Sequence, residues 1–294
     1  MKAIFGPMRP SFLILTPACV ALGFATAYQS GAEISLIQGA LALVGAVAAH
    51  VAVNALNEYF DFRSGLDTRT RRTPFSGGSG TLPEHPELAP LALVTGIVSA
   101  ALTAVVGLFF VAAQGFALLP LGLLGLFLVL LYTPWLTQRP WLCLVAPGLG
   151  FGPCMVLGTQ VALTGQYSWA ALITSMVPFF LVNNLLLLNQ FPDLEADRSV
   201  GRKTLPILIG RRRSSYVYSL FFGLSMLALG AAVYLRYLPP FSLIGFAGLA
   251  AGVPVFRGLA RCAEDTEDLL PRLGLNVVAS VATPALAALG AFIG

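Results

Sequence analysis

The chain has 294 residues, of which 57% are hydrophobic and 10% charged, with a formal net charge of +4. A soluble domain carries about a quarter of its residues as charged groups, so that class is excluded. The basic residues are confined to the segments between apolar runs, a bias that membrane topology explains more simply than nucleic acid. Runs of about 20 apolar residues suit helices that cross a bilayer, whereas a β-barrel would show short alternating segments. Cys19, Cys143, Cys154 and Cys262 show no paired spacing, so neither a disulfide framework nor a zinc site is expected.

In chain order the sequence predicts nine apolar spans: Ser11–Tyr28, Ile34–Leu56, Leu88–Ala112, Phe116–Leu136, Trp141–Leu163, Tyr167–Leu188, Ser214–Leu235, Phe241–Phe256 and Leu275–Ile293. The expected architecture is all-α, a polytopic membrane protein with nine transmembrane helices bundled around a central cavity, in one domain covering 1–294. Lys2 and Arg9 precede the first run without a small-residue cleavage pattern, so that run is read as a membrane helix and not a removed signal peptide. With nine spans, 16 of the 17 basic residues share one side and only Arg236 is opposite. The positive-inside rule makes that side cytoplasmic, in a cell inner (plasma) membrane. Twelve of the thirteen acidic residues follow, all but Glu33. The run Glu264, Asp265, Glu267 and Asp268 among Arg257, Arg261 and Arg272 reads as a solvated surface segment.

Two polar stretches interrupt the apolar pattern, in loops of about 57–87 and 189–213. The first is Asn57-Glu58-Tyr59-Phe60-Asp61, continuing to Gly65 and Asp67; the second is Asn189-Gln190-Phe191-Pro192-Asp193, continuing to Asp197. Both read Asn-x-x-x-Asp, both add another Asp, and both follow an apolar run and precede Arg and Lys. Together with their flanking helices they suggest an internal duplication, a feature that transporters also show.

At about 100° per residue, His50, Asn54, Asn57 and Asp61 share an arc of about 60° on the second helix, and Asn183, Asn189, Gln190, Asp193 and Asp197 one of about 120° on the sixth. Asn and His at such positions also serve as interhelical hydrogen-bonding glue, whereas carboxylates at a membrane are costly and usually functional. Asp193 and Asp197, four apart, point the same way and suit a shared divalent ion. Glu195 points about 160° away from their midpoint and is not expected to be a ligand. Magnesium favours a few carboxylates, waters and a substrate phosphate, and Arg71, Arg72, Arg202 and Lys203 lie downstream to grip diphosphate oxygens. Topology alone would account for Arg211, Arg212 and Arg213. Ser76-Gly77-Gly78-Ser79-Gly80 lets backbone N–H groups approach a phosphate, although it lacks the Lys-Ser or Lys-Thr of a Walker motif and also reads as a flexible turn.

The paired motifs after the second and sixth helices resemble the UbiA superfamily of intramembrane prenyltransferases over nearly the whole chain. Many members read Asn-Asp-x-x-Asp-x-x-x-Asp in the first motif. This chain has Glu58 at the second position and Gly65 at the last, with Asp67 two residues beyond, a pattern similar to the MenA branch that prenylates 1,4-dihydroxy-2-naphthoate. Asp193 to Arg198 with Gly201-Arg202-Lys203-Thr204-Leu205-Pro206, Tyr132-Thr133-Pro134, and Gly148 with Gly152 fit the same pattern.

The resemblance implies a polyprenyl diphosphate donor, an aromatic acceptor, Mg2+ as cofactor and the bilayer as surroundings, with no obligate protein partner. It implies Asp61, Asp67, Asp193 and Asp197 as metal ligands, and Asn57, Arg72, Asn189, Arg202 and Lys203 at the diphosphate. Asp61 and Asp193 would be catalytic, Tyr132 would lie near the reacting centre, and Glu58 would stand in for the family's Asp. Other acceptors (a hydroxybenzoate, a homogentisate, haem, a lipid or a sugar) stay open. A transporter is disfavoured because the carboxylates lie at helix ends beside Arg and Lys. A CDP-alcohol phosphotransferase would carry Asp-Gly-x-x-Ala-Arg, which does not occur here.

Overall fold

The computed structural model describes residues 5–70, 72–263 and 265–294, with the side chain of Thr266 left aside. Lys2 and Glu264 from the charge pattern, and Arg71 from the expected diphosphate group, lie outside these residues. The described residues form helices and turns and no strand. The long helices are α1 (Leu15–Gln29), α2 (Leu36–Ser64), α3 (Ala89–Gln114), α4 (Leu119–Leu131), α5 (Pro140–Thr164), α6 (Trp169–Asn189), α7 (Arg211–Tyr234), α8 (Gly245–Cys262) and α9 (Thr266–Ile293).

Seven of the described helices are long and apolar enough to cross a bilayer, namely α2, α3, α5, α6, α7, α8 and α9. The segment Gly6–Phe12 meets α1 at a 54° bend, and the two together pass as an eighth span. The chain is therefore a multi-pass membrane protein, but its expected fourth span is shorter than the pattern suggested. Phe116–Leu131 is an apolar helix below spanning length; at about 1.5 Å per residue it covers about 24 Å, against about 30 Å of hydrocarbon. The chain leaves helical hydrogen bonding after Tyr132, in the turn that carries Thr133 and Pro134.

Local chemistry sets the ends of the site-bearing helices. Ser35 caps α2, its hydroxyl accepting from the Gln38 amide at 3.4 Å. At the other end Gly65 adopts φ +75°, a left-handed conformation open to glycine at little cost. The Gly65 amide donates to Phe62 O and the Leu66 amide to Asp61 O, both at 3.0 Å, which is a Schellman ending. The missing family carboxylate at this position thus leaves a helix stop, and the chain doubles back to present Asp67. Ser168 caps α6, its hydroxyl accepting from the Ala171 amide at 3.0 Å.

α6 ends at Asn189, and a turn separates it from a short helix over Leu194–Ser199. The expectation of one continuous polar face from Asn183 to Asp197 is corrected here: two helices share those residues. α9 starts nine residues earlier than the apolar run and takes Glu267 and Asp268 into its first turn, where acidic groups suit the helix dipole. α8 runs through Pro254 to Cys262, past the expected end at Phe256.

α5 and α6 are the most enclosed of the seven spans, each with 67% of its apolar window buried against 22% for the span that contains α3. Leu181, Val182 and Leu188 of α6 pack with Leu22, Val156, Tyr218 and Leu273 in the main apolar core. α5 approaches α6 closely because its facing positions are glycine: a Cβ on Gly148 would lie 2.3 Å from Phe179 O, and one on Gly152 2.6 Å from Ser175 O. Asn183 serves this contact, its Oδ1 accepting from the Gly148 amide at 2.6 Å. Pro147 and Pro153 interrupt α5, and its middle stretch, Gly150–Leu157, is π-helical. The polar glue continues at Asn184, which donates to Tyr218 O at 2.9 Å, and at Tyr218, whose hydroxyl donates to Asn276 Oδ1 at 2.9 Å.

Candidate active site

A cavity of about 460 Å³ opens among the helices. Its apolar walls include Val106 and Phe110 of α3, Leu121 and Leu128 of α4, and Phe151 and Met155 of α5, while Arg9, Asn54, Asn57, Tyr132 and Asn189 make its polar end. Of the expected polar face of α2, His50, Asn54 and Asn57 line the cavity, whereas Asp61 is not among its lining residues. His50 Nδ1 is 2.8 Å from Thr16 Oγ1, and its ring meets Phe151 edge-on at 4.8 Å. Asn54 donates to Met8 O at 3.0 Å, and Asn57 donates to Thr133 Oγ1 at 3.0 Å. His50 and Asn54 thereby act as glue between helices.

The two motif loops meet. Arg202, 17% exposed at its side chain, donates to Asp61 through Nη2 and to Asp197 Oδ1 through Nη1 at 3.0 Å. Asp61 belongs to the first motif and Asp197 to the second, so one guanidinium ties the halves together. Arg69 adds a second tie, its Nη1 donating to Ser199 O at 3.3 Å.

The Ser76–Gly80 run is ordered as a strap across both motifs. Ser76, whose hydroxyl is 2.9 Å from Thr73 Oγ1, and the Gly77 backbone lie beside Asp193, where their dipoles favour its charged form. The Ser79 amide and hydroxyl donate to Glu58 Oε1 and Oε2 at 2.7 and 2.9 Å. Gly78, at φ +73°, passes so near Asp67 that a Cβ would lie 3.1 Å from its Oδ1. The Ser79 N–H thus meets a carboxylate, where the sequence suggested a phosphate or a flexible turn.

Arg72 pairs with Glu84 at 2.6 Å and is 45% exposed. Lys203 is exposed and docks through its backbone, the amide donating to Thr137 O at 3.1 Å. Tyr132 lies near Cys143, and Gln190 Nε2 is 3.6 Å from the Cys143 sulfur. Glu195 is 74% exposed and pairs with Arg198 at 3.2 Å, turned away from the other carboxylates.

Among the described residues no three His, Cys, Asp or Glu side chains converge as a ready-made metal cage. The donor set nonetheless fits a hard cation that brings its own phosphate and water ligands. Asp67 Oδ2, Asp193 Oδ1 and Asn189 Oδ1 are buried oxygens without a hydrogen-bond partner, a costly condition that a cation relieves. Each motif supplies at least one of them.

Burial, with Asp61 and Glu58 nearby, pushes the Asp67 carboxyl up from 3.8 to about 7. Burial and neighbouring Asp197 push Asp193 up to about 7 as well. A raised carboxyl pKa means that the folded state binds more protons than the unfolded one between pH 3.8 and about 7, so metal-free stability falls as pH rises through that window. A cation needs the deprotonated form and competes with the proton. The concentration of Mg2+ needed for half-maximal effect is therefore expected to fall as pH rises from about 6 to 8, then level off, when read by Mg2+-dependent thermal stabilisation. A flat response would contradict the shared pKa range.

Arg9, Glu58, Ser79 and Thr133 belong to this constellation in roles the motif reading did not assign them. Arg9 Nε and Nη2 both lie 2.7 Å from Glu58 Oε1, and Nη2 also donates to Asn57 Oδ1 at 3.2 Å. A signal was present, because a lone cation and a lone anion at membrane helix ends need partners. Its geometry was hidden, since the two lie 49 residues apart.

These features define an all-helical, multi-pass membrane protein with two linked carboxylate motifs whose asparagines, Asn57 and Asn189, line the polar end of an apolar cavity. The UbiA prenyltransferase family profile matches residues 14–271, and the chain belongs to that family. It is 25% identical over 214 residues to a 1,4-dihydroxy-2-naphthoate octaprenyltransferase of Bacillus subtilis, covering 72% of this chain and 67% of that one. It is 29% identical over 229 residues to a digeranylgeranylglyceryl phosphate synthase of Pyrococcus abyssi, covering 75% and 74%. The chain spans from 58% to 77% of the length of the curated relatives it matches. A UbiA homolog from Archaeoglobus fulgidus, solved bound to GPP and Mg2+, shares the fold with a TM-score of 0.69 at 16% identity, over 97% of this chain and 99% of that one.

Proposed function

We propose that this UbiA-family prenyltransferase moves a polyprenyl group from its diphosphate to 1,4-dihydroxy-2-naphthoate, a step of menaquinone biosynthesis, with Mg2+ held by Asp61, Asp67, Asp193 and Asp197. The observation that carries the metal reading is the pair of unpartnered buried oxygens on Asp67 and Asp193, one from each motif. The acceptor reading is supported by the Bacillus subtilis relative and by the Gly65–Asp67 spacing of the first motif.

Bound Mg2+ supplies positive charge for a departing diphosphate. Arg202, already between Asp61 and Asp197, exchanges these carboxylates for diphosphate oxygens, which a guanidinium grips in a bidentate fork. Lys203 adds a point charge, and Arg72 joins by leaving Glu84. Asn57 and Asn189 orient the donor at the cavity's polar end. The apolar walls house the prenyl chain and keep water from the allylic cation, while the Tyr132 ring offers that cation its π face. The acceptor carbon that bears the carboxylate forms the new C–C bond, and the carboxylate leaves as carbon dioxide. The one-sided charge distribution supports placing the motif loops on the cytoplasmic side of the plasma membrane.

The test is incubation of membranes containing the chain with a labelled polyprenyl diphosphate and a panel of acceptors. Labelled, decarboxylated prenylnaphthoquinol is the expected product. Turnover confined to another ring, or to a glyceryl phosphate ether as the Pyrococcus relative's name suggests, would remove the naphthoate assignment and leave the family reaction standing.

A further inference from the structure

The first motif carries an extra acid, Glu58, at a position where the family pattern has Asp, and the structure treats it unlike its neighbours. Glu58 is fully buried. Its Oε1 lies 2.7 Å from Arg9 Nε, Arg9 Nη2 and the Ser79 amide, and its Oε2 accepts from the Ser79 hydroxyl at 2.9 Å. Both oxygens are filled by donors of the chain itself. Asp67 Oδ2 and Asp193 Oδ1, by contrast, are buried and unpartnered. A saturated carboxylate is poorly placed to ligate a cation, and an unsatisfied one is well placed.

Ser79 is held by Glu58, and the same strap presses Gly78 against Asp67 and runs beside Asp193 at Ser76 and Gly77. The strap therefore spans the two open oxygens, and its anchor is Glu58. Arg9 completes the anchor from the other side: without it Glu58 would be a buried charge held by Ser79 alone, which is strongly unfavourable.

We propose that Arg9 and Glu58 form a positioning pair that fixes the Ser76–Gly80 strap and so presets the open oxygens of Asp67 and Asp193 for the cation, with Glu58 itself outside the ligand set. This rests on the metal–diphosphate reading above. Groups that orient ligands without touching a metal typically change its affinity by 10-fold to 100-fold when replaced.

The experiment uses the full chain in lipid nanodiscs. Mn2+ binding is followed by electron paramagnetic resonance without substrate, and thermal unfolding is recorded for each variant. Ser79→Ala and Glu58→Gln keep the shape of the anchor while weakening it, and Asp193→Asn serves as the ligand control. The proposal expects Ser79→Ala and Glu58→Gln each to weaken Mn2+ binding about tenfold in folded protein. It expects Arg9→Gln/Glu58→Gln to weaken it less than the sum of the two single effects, because the double variant leaves no unpaired buried charge.

A purely structural pair would lower the unfolding temperature and leave Mn2+ affinity of the folded fraction unchanged in Ser79→Ala and Glu58→Gln; that result overturns the positioning role. Strictly additive effects of Arg9→Gln and Glu58→Gln overturn the pairing. A metal reading that is itself wrong shows differently, as Mn2+ binding that Asp193→Asn fails to alter, and this would remove the positioning role along with it.

Discussion

Asp193→Asn is expected to lower Mg2+-dependent diphosphate release by a factor of about 10² or more, with the helical fold retained, because one preorganised charge at a developing anion is worth about 10²–10³ in rate. The substitution is nearly isosteric. The strap keeps its seat, because its hydrogen-bond anchor is Ser79 on Glu58 and not Asp193. What disappears is the negative charge behind the open Oδ1. Glu195→Gln is the matched control, two residues away, exposed and paired only with Arg198, and is expected to leave release near the parent rate because exposed ion pairs contribute little. Release of diphosphate in nanodiscs, alongside circular dichroism, checks both. Equal loss in the two variants would mean that charge on the loop, and not placement, governs the rate.

Arg202→Gln is expected to carry the largest stability effect at the site. In the metal-free protein Arg202 neutralises Asp61 and Asp197, whose side chains are 8% and 4% exposed. Removing one member of a buried ion group typically costs about 3–5 kcal/mol because the remaining charges are stranded. Here two carboxylates would be stranded together.

Added Mg2+ is expected to recover part of that loss in Arg202→Gln, since a cation that binds the folded state stabilises it by mass action. Diphosphate release is expected to stay low even at high Mg2+, because the fork for phosphate oxygens is gone. Arg202→Lys keeps the charge but reaches one carboxylate at a time, and is expected to fall between the two. Thermal unfolding with and without Mg2+ reads the effect. Parent-like unfolding of Arg202→Gln without Mg2+ would contradict the neutralising role.

The helices and the pairing of the two motifs were legible in the sequence because both rest on one-dimensional signals. Apolar run length marks membrane helices, and Asn57…Asp61 with Asn189…Asp193 repeat the same spacing. Signals that depend on how the chain returns on itself were not legible. Periodicity carried one helical face from Asn183 to Asp197, while the chain turns between Gln190 and Asp193 and restarts as a separate helix. Gly65 read as a lost carboxylate and proves to be the helix stop that aims Asp67 back at the site.

The Gly-rich run could be a turn or a phosphate cradle on composition alone. Its bonded partner, Glu58, lies about twenty residues upstream, and Asp193, beside it, more than a hundred downstream. Arg9 counted as a topological charge because nothing local links it to Glu58. Arg72 is placed at the diphosphate by its nearness in sequence to Asp67; in this structure its guanidinium lies on Glu84. For the Gly-rich run and Arg9, contacts between distant segments overrode neighbours in sequence.

The most direct measurement is a structure of the chain with Mn2+ and an unreactive thio-analogue of a polyprenyl diphosphate, the metal located by its anomalous signal. The account predicts Mn2+ beside Asp67 Oδ2 and Asp193 Oδ1, with Arg202 turned from Asp61 and Asp197 onto the diphosphate and Glu58 still held by Arg9 and Ser79. Mn2+ bound at one motif alone, or diphosphate held away from both while Arg202 keeps its two carboxylates, would contradict the claim that the motifs are halves of one site.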